Sequence, residues 1–249
     1  MTLSKTIWRP QPRKVILKNN EVHVWCSSLT LKPEILNKLR LILSTDEIER
    51  ADRFHSQKDQ FGFIAGRGIL RSILGYYLQI EPSEIRFTYN THGKPSIANI
   101  TEASGLNFNI SHSHELALYA LTRGRGIGID IERLRSNLSF ERIAKRFFPP
   151  AEFEKLRSLP PEEFVEGFFN FWTCKEAYIK AIGKGLSIPL NQFAVTVHAN
   201  KTVKIQNSKT NHCEESRWSF YTLRPAPGYV GALTVEGKKL RIKYWMWSE

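Results

Sequence analysis

The chain has 249 residues, 41% of them hydrophobic, and carries 36 Lys and Arg against 24 Asp and Glu, for a net charge of +12. That is ample apolar material for one large domain or two small ones. No run reaches the roughly 18 apolar residues that a membrane-spanning helix needs. So basic a balance favours anionic partners: nucleic acid, membrane surfaces, phosphorylated ligands or acidic proteins. The charge is spread, with no tract of five or more Lys and Arg. A basic cleft or docking face therefore fits better than a nucleic-acid arm or a membrane patch. The opening MTLSKTIWRPQPRK has no apolar stretch of leader type, so a cytoplasmic chain is expected. Cys26, Cys174 and Cys213 form neither a CxxC pair nor a metal-ligand spacing, which suits a reducing compartment.

In chain order, EVHVWCSSL (21–29) alternates like a strand, and LKPEILNKLRLIL (31–43) reads as a helix with Pro33 in its first turn. Ser44 followed by Glu47 is a capping-box pattern opening a second helix. FGFIAGRGILRSILGYYL (61–78) has helical periodicity. FTYNTHGKPSI (87–97) is a strand, a turn at His92-Gly93 and a second extended piece. LNFNISHSHELALYALTR (106–123) and GIGIDIERL (126–134) read as neighbouring strands. Beyond Arg135 the pattern turns helical: SFERIAKRFF with Ser139 as cap, PAEFEKLRSL, then the long stretch 160–183. Short strands follow: FAVTVHA, KTVKIQ, RWSFYTL, YVGALTVEG and KLRIKYWMW. Helices and strands thus come in two rounds. The expected fold class is α+β, with one lobe over residues 1–122 and another over 123–249, each a small, mostly antiparallel sheet packed with helices.

In GIGIDIERL, alternation puts Gly128, Asp130 and Glu132 on one face and Ile127, Ile129 and Ile131 on the other. The two acids stand about 6.6–6.8 Å apart along the strand and either converge on a divalent cation, magnesium being the natural one, or lie in water on a half-buried strand. Gly128 leaves space beside them. FWTCKEAYIKAIGKGL (171–186) sets Glu176 and Lys180 at i,i+4. That pair is either a surface ion pair or a third acid reaching the first two. In the second case Lys175, Lys180 and Lys184 lie near phosphate oxygens, a combination suited to phosphoryl chemistry. NISHSHEL offers Ser111 or Ser113 as a nucleophile, but without a G-x-S-x-G elbow. His112 and His114 would point together, to bind phosphate or to be held structurally; no zinc spacing accompanies them. Lys94 rides on the turn THGKP. Arg50, Arg53, Arg67 and Arg71 lie on predicted helices and include candidates for a phosphate clamp. Cys174 reads as a packing residue.

GIGIDIE followed by FWTCKEAYIKAIGKGL resembles the 4′-phosphopantetheinyl transferases, and more narrowly their surfactin-synthetase-activating (Sfp-type) branch. The matching patterns are G-[IV]-D-x-E (128–132) and W-[ST]-x-K-E-[AS]-x-x-K (172–180). The likeness extends to HGKP, FNISHS, AKRFF and GKGLSIPL. The resemblance implies two similar, pseudo-symmetric lobes with coenzyme A between them, the nucleotide held mainly by the first. It implies transfer of phosphopantetheine from coenzyme A, as co-substrate, to a serine of an apo acyl, peptidyl or polyketide carrier protein, releasing adenosine 3′,5′-bisphosphate. Asp130, Glu132 and Glu176 map onto ligands of Mg2+, with Mn2+ as a substitute, and Glu176 also onto the residue proposed as base. Lys180 maps onto a phosphate-stabilising lysine, with Lys175 assisting. His112 maps onto a contact to the coenzyme's phosphates and Lys94 onto a lysine near the nucleotide. Lysines that relatives place around the 3′-phosphate are missing, Glu47 standing where one is expected; Arg50, Arg53 and Arg67 are the substitutes. A monomer with neither nucleic-acid nor membrane partners is implied as well.

Carrier proteins are usually acidic, so the charge of +12 fits. Residues 138–148, with Arg142, Lys145, Arg146, Phe147 and Phe148, form either a docking surface or an amphipathic helix whose phenylalanines enter the core. Two other functions compete. A magnesium-dependent nuclease commonly wants a lysine two residues after the second acid, and Leu134 stands there. A nucleic-acid-binding module explains the charge and aromatics but leaves Asp130, Glu132 and Glu176 unexplained.

Overall fold

The computed structural model describes residues 5–98, 105–136, 139–185, 188–197, 203–207 and 217–249. In chain order it contains β1 (Arg9–Pro10), β2 (Glu21–Ser28), α1 (Pro33–Leu41), α2 (Thr45–Asp52), α3 (Gln57–Leu78), β3 (Phe87–Tyr89), β4 (Pro95–Ile97), β5 (Leu106–Ser113), β6 (Leu116–Arg123) and β7 (Ile127–Arg133). Then come α4 (Phe140–Phe147), α5 (Pro150–Arg157), α6 (Pro161–Ile182), β8 (Phe193–Val197), β9 (Val203–Asn207), β10 (Trp218–Leu223), β11 (Tyr229–Glu236) and β12 (Arg241–Met246). The α+β class is as expected.

Local chemistry sets the boundaries. Pro33 and Pro161 occupy first turns, where a missing N–H costs nothing. At α2 the Ser44 amide donates to Glu47 Oε2 at 3.1 Å, closing the capping box. Gly183 ends α6 at φ +77°, a conformation that suits glycine. One expected element divides: residues 106–123 form a hairpin, Ser113 pairing with Leu116 across a two-residue turn. His114 takes φ +54° there and stays exposed, so it does not share a strand face with His112.

A five-stranded sheet runs β1-β12-β2-β6-β5 and a three-stranded one β10-β11-β7; β3-β4 and β8-β9 are separate pairs. Helices α1 to α3 cover one face of the larger sheet, burying Trp25, Ile69, Leu70, Leu74 and Tyr119. Val22, Val24, Leu118 and Ala120 on its other face pack against Ile127, Ile129, Ile131, Leu233 and Val235 of the smaller sheet. A third core, rich in phenylalanine, joins α4, α5 and α6 to the outer face of the smaller sheet. Strand β2 is therefore buried on both sides, and its alternation reports two cores rather than core and solvent.

Two features go beyond what the sequence led us to expect. The larger sheet is mixed: β12 is parallel to both β1 and β2. The division at residue 122 is crossed by β12, which leaves the second half of the chain to pair with β2 in the first, Trp245 opposite Trp25. A C-terminal strand finds an interior place in the sheet there, between β1 and β2, that no local pattern announces.

Candidate active site

The edge strand β5 lies beside the edge strand β7, and side chains stitch this seam. Asn109, Ser111 and Ser113, alternating on one face of β5, reach across in turn. Asn109 Oδ1 accepts from the Ile129 amide at 2.8 Å. Ser111 Oγ donates to Asp130 Oδ1 at 2.9 Å, and Ser113 Oγ to Glu132 Oε2 at 3.0 Å while accepting from the Arg133 amide at 3.1 Å. Both serines thus orient carboxylates, and the nucleophile reading falls away. Sequence reasoning missed Asn109, and Ser113 in this role. The available signal was three small polar residues at i, i+2 and i+4, the spacing of one strand face.

Helix α6 crosses the same face of β7. A Cβ added to Gly128 would lie 2.0 Å from the Ala177 carbonyl oxygen and 2.4 Å from the Ala181 nitrogen. Gly128 therefore makes room for the helix backbone, not for the acids as its place beside them suggests. That close approach brings half-buried Glu176 and Lys180 to the seam. Lys180 Nζ donates to Asp130 Oδ1 at 2.6 Å and to Ser111 Oγ at 2.9 Å.

Asp130, Glu132, Glu176 and Lys180 thus share one electrostatic neighbourhood. Burial, then the charge of Asp130, raises the Glu132 carboxyl above its ordinary value, against Ser113, Arg135 and Lys180. Burial and Asp130, with Glu132 adding, raise Glu176 against the pull of Lys180. The other carboxylate oxygen of Asp130, Oδ2, is buried without a hydrogen-bond partner. Crowded acids with one orphaned oxygen are short of positive charge, and an oxygen-seeking divalent cation matches that donor set. Among the described residues, no three His, Cys, Asp or Glu groups are already gathered to hold a metal ion; Lys180 is the cation in contact with Asp130.

His112 stays open at its edge on the far face of β5. Burial of its ring and then Lys180 lower its pKa below the ordinary value. Arg50 and Arg53 lie exposed on and just past α2. Arg50 stacks 5.1 Å above the Phe63 ring and Arg53 Nε donates to the Glu49 carbonyl.

Three further expected site residues have their own partners. Lys175 is fully buried on the opposite side of α6: Nζ donates to the Leu190 and Phe193 carbonyls at 2.9 and 2.5 Å and pairs with Glu152 at 3.0 Å. Adjacent helix positions diverge by about 100°, so Lys175 and Glu176 cannot face the same site. Burial, partly opposed by Glu152, lowers its pKa. Arg67 is held by Glu47, Nε to Oε1 at 3.2 Å, and lies over the Phe87 ring. Glu47 also takes the buried Arg71 at 2.6 Å, so an acid where a phosphate-binding lysine was expected serves two arginines instead. Lys94 is engaged with backbone: Nζ donates to the carbonyls of Ile127, Lys180 and Ala181 at 3.1, 2.6 and 3.4 Å. Burial pushes its pKa down to about 8. A cavity lined by Asn90, Lys94, Asn107, Phe108 and Arg125 opens beside it. In residues 139–148, Phe148 enters the core and Phe147 stays 39% exposed beneath Arg146, so the docking and packing readings each hold for one phenylalanine. Residue 138 lies outside the described residues.

The sequence profile of the 4′-phosphopantetheinyl transferase superfamily matches residues 126–234, and that of the 4′-phosphopantetheinyl transferase N-terminal region matches 31–123. The 4′-phosphopantetheinyl transferase HetI of Nostoc sp. is 42% identical over 238 residues, 96% of this chain and 97% of that protein. The 4′-phosphopantetheinyl transferase Sfp of Bacillus subtilis is 35% identical over 176 residues, 71% of this chain and 76% of that protein. Among solved structures, Helicobacter pylori holo-[acyl-carrier-protein] synthase in complex with coenzyme A is 21% identical, with 45% of this chain and 99% of that chain covered and a TM-score of 0.33. The chain belongs to the 4′-phosphopantetheinyl transferase superfamily. It is a transferase enzyme. No helix among the described residues is long and apolar enough to cross a membrane.

Proposed function

We propose that the protein transfers 4′-phosphopantetheine from coenzyme A to a serine hydroxyl of apo carrier proteins and releases adenosine 3′,5′-bisphosphate. Transfer onto carrier proteins follows from the family; coenzyme A as donor, the metal and the residue roles are the proposal. The observation that best supports it is the seam between β5 and β7, where the orphaned oxygen of Asp130 lies beside Glu132, Glu176 and Lys180.

Asp130, Glu132 and Glu176 would hold Mg2+, or Mn2+ in its place, and the cation would neutralise charge on the pyrophosphate. Glu176 takes the proton from the carrier serine, directly or through one water; its raised pKa brings it nearer the working range of a general base. The serine oxygen forms a bond to the phosphorus carrying pantetheine, and the bond from that phosphorus to the bridging oxygen breaks. The electron pair leaves with adenosine 3′,5′-bisphosphate. Lys180 meets the charge that develops on the phosphate oxygens, with Ser111 steadying its ammonium. Arg50, Arg53 and His112 face solvent and are the groups proposed for the coenzyme's phosphates. The excess of basic residues steers acidic carriers inward. A monomer in the cytoplasm, acting on neither nucleic acid nor membrane, completes the proposal.

The experiment is intact-mass analysis of a panel of apo carrier proteins after incubation with enzyme, coenzyme A and magnesium. Each substrate carrier should gain one phosphopantetheine, and EDTA should abolish the gain. Glu176→Gln should keep the fold and much of the coenzyme A affinity but lower turnover by about 10²–10⁴-fold. Near-normal turnover in that variant removes Glu176 from the mechanism. Asp130→Ala should be similarly inactive.

A further inference from the structure

Helix α6 ends at Ile182, and the carbonyls of its last turn have no partner within the helix. The β3–β4 hairpin, from the other half of the chain, supplies them. Lys94 Nζ takes the Lys180 carbonyl at 2.6 Å, the Ala181 carbonyl at 3.4 Å and the Ile127 carbonyl of β7 at 3.1 Å. Asn90 Nδ2 takes the Gly183 carbonyl at 2.7 Å. An ammonium carries three donors, and here each has a protein acceptor. A cation at the negative end of a 22-residue helix is also favourably placed for the helix dipole.

The hairpin tip is braced for this contact. Asn90 Oδ1 accepts from the His92 and Lys94 amides at 3.0 and 2.9 Å, and the Asn90 amide donates to the Lys94 carbonyl at 3.1 Å. Its base is pinned by Arg67, which lies over Phe87 and donates to the Tyr89 hydroxyl at 3.1 Å. A rigid tip thus grips the turn of α6 from which Lys180 extends to Asp130 and Ser111.

We propose that Lys94 is a positioning residue: by holding the Lys180, Ala181 and Ile127 carbonyls it fixes the last turn of α6 against β7, and so aims Lys180 at the reacting phosphate. It acts through the helix and not as a ligand of the nucleotide. The kinetic part of the claim rests on the transferase reading above; the structural part does not.

The test compares Lys94→Met, Lys94→Arg and Asn90→Ala in the full chain by three readouts: hydrogen exchange of the α6 C-terminal amides, coenzyme A affinity by calorimetry, and kcat on a carrier that the wild type modifies. Lys94→Met should speed exchange at residues 181–183, leave coenzyme A affinity within about 2-fold and lower kcat by about 10- to 100-fold, the scale of a small misplacement of a catalytic group. Asn90→Ala should move exchange and kcat in the same direction by less, and Lys94→Arg, which keeps donors for the carbonyls, should recover part of both. Coenzyme A affinity falling tenfold or more, with saturated kcat and exchange unchanged, overturns the proposal and makes Lys94 a nucleotide ligand. No change in any readout overturns it too. If the wild type modifies no carrier, the transferase reading fails, and exchange alone decides: unaltered protection of α6 in Lys94→Met overturns the clasp.

Discussion

At the scale of single residues, the buried polar groups have defined jobs. His23 is 1% exposed, its Nδ1 2.7 Å from the Tyr77 hydroxyl and its Nε2 3.3 Å from Glu21 Oε2. Trp25 Nε1 donates to the same tyrosine oxygen at 2.9 Å. The assignment that satisfies all three contacts has Tyr77 donating to Nδ1 and a neutral imidazole donating to Glu21. Burial pushes the His23 pKa down to about 4. Between its ordinary value of 6.5 and 4, the unfolded chain therefore binds a proton that the native protein refuses. Stability falls as pH falls through that window, by about 3 kcal/mol at pH 4. Glu21, held low by Lys243, the Lys18 amide and His23 against its own burial, adds loss in the same direction at the acid end. Urea unfolding at pH 6.5 and 4.5 checks this: His23→Gln should show a shallower loss than the wild type. Equal slopes would mean that His23 is not the group refusing the proton.

At the scale of elements, α6 shows how much of the site was legible. Alternation along β7 and the i,i+4 spacing along α6 are local regularities, and they pointed to Asp130, Glu132, Glu176 and Lys180. The same periodicity says that Lys175 points elsewhere, but not where, because Glu152 and the carbonyls of Leu190 and Phe193 come from separate segments. Lys94 was legible as a turn residue only; its acceptors stand up to 87 positions away. Arg67 was legible as helical, while its partner Glu47 was read as a cap and as the acid standing where a lysine is expected, not as an ion-pair partner. Contacts at long sequence separation carry no periodic trace, which is why the partners of these three lysine and arginine side chains could not be read from the sequence. Lys175→Met follows as a prediction at this scale. It strands Glu152 in the core and should cost about 3–5 kcal/mol. Below its melting range, transfer per folded molecule should stay within about 2-fold of wild type, since Lys175 lies outside the seam, whereas Lys180→Met should lose about 10²-fold or more. A thermal melt paired with the carrier-mass assay separates the two. A turnover collapse in folded Lys175→Met would return that lysine to the chemistry.

At the scale of the whole molecule, the two halves of the chain are interlocked as well as adjacent. Their sheets share a core, Lys94 and Asn90 grip a helix of the opposite half, and β12 lies between β1 and β2. Ending the chain after Leu240 removes β12, leaves β1 without its partner and opens one edge of β2. The truncated protein should lose its cooperative thermal transition by circular dichroism; a cooperative melt within a few degrees of the full chain would show the last strand to be dispensable. The pairing of β12 with β2 also sets an order of events at birth. A nascent chain ordinarily folds from its N-terminal end while synthesis continues. Here the first sheet lacks an inner strand until residue 246 has emerged from the ribosome. Until then the edge of β2 is a template for any extended chain nearby. The first half of this enzyme is made first and finished last, and that interval is when it most needs protection from its neighbours.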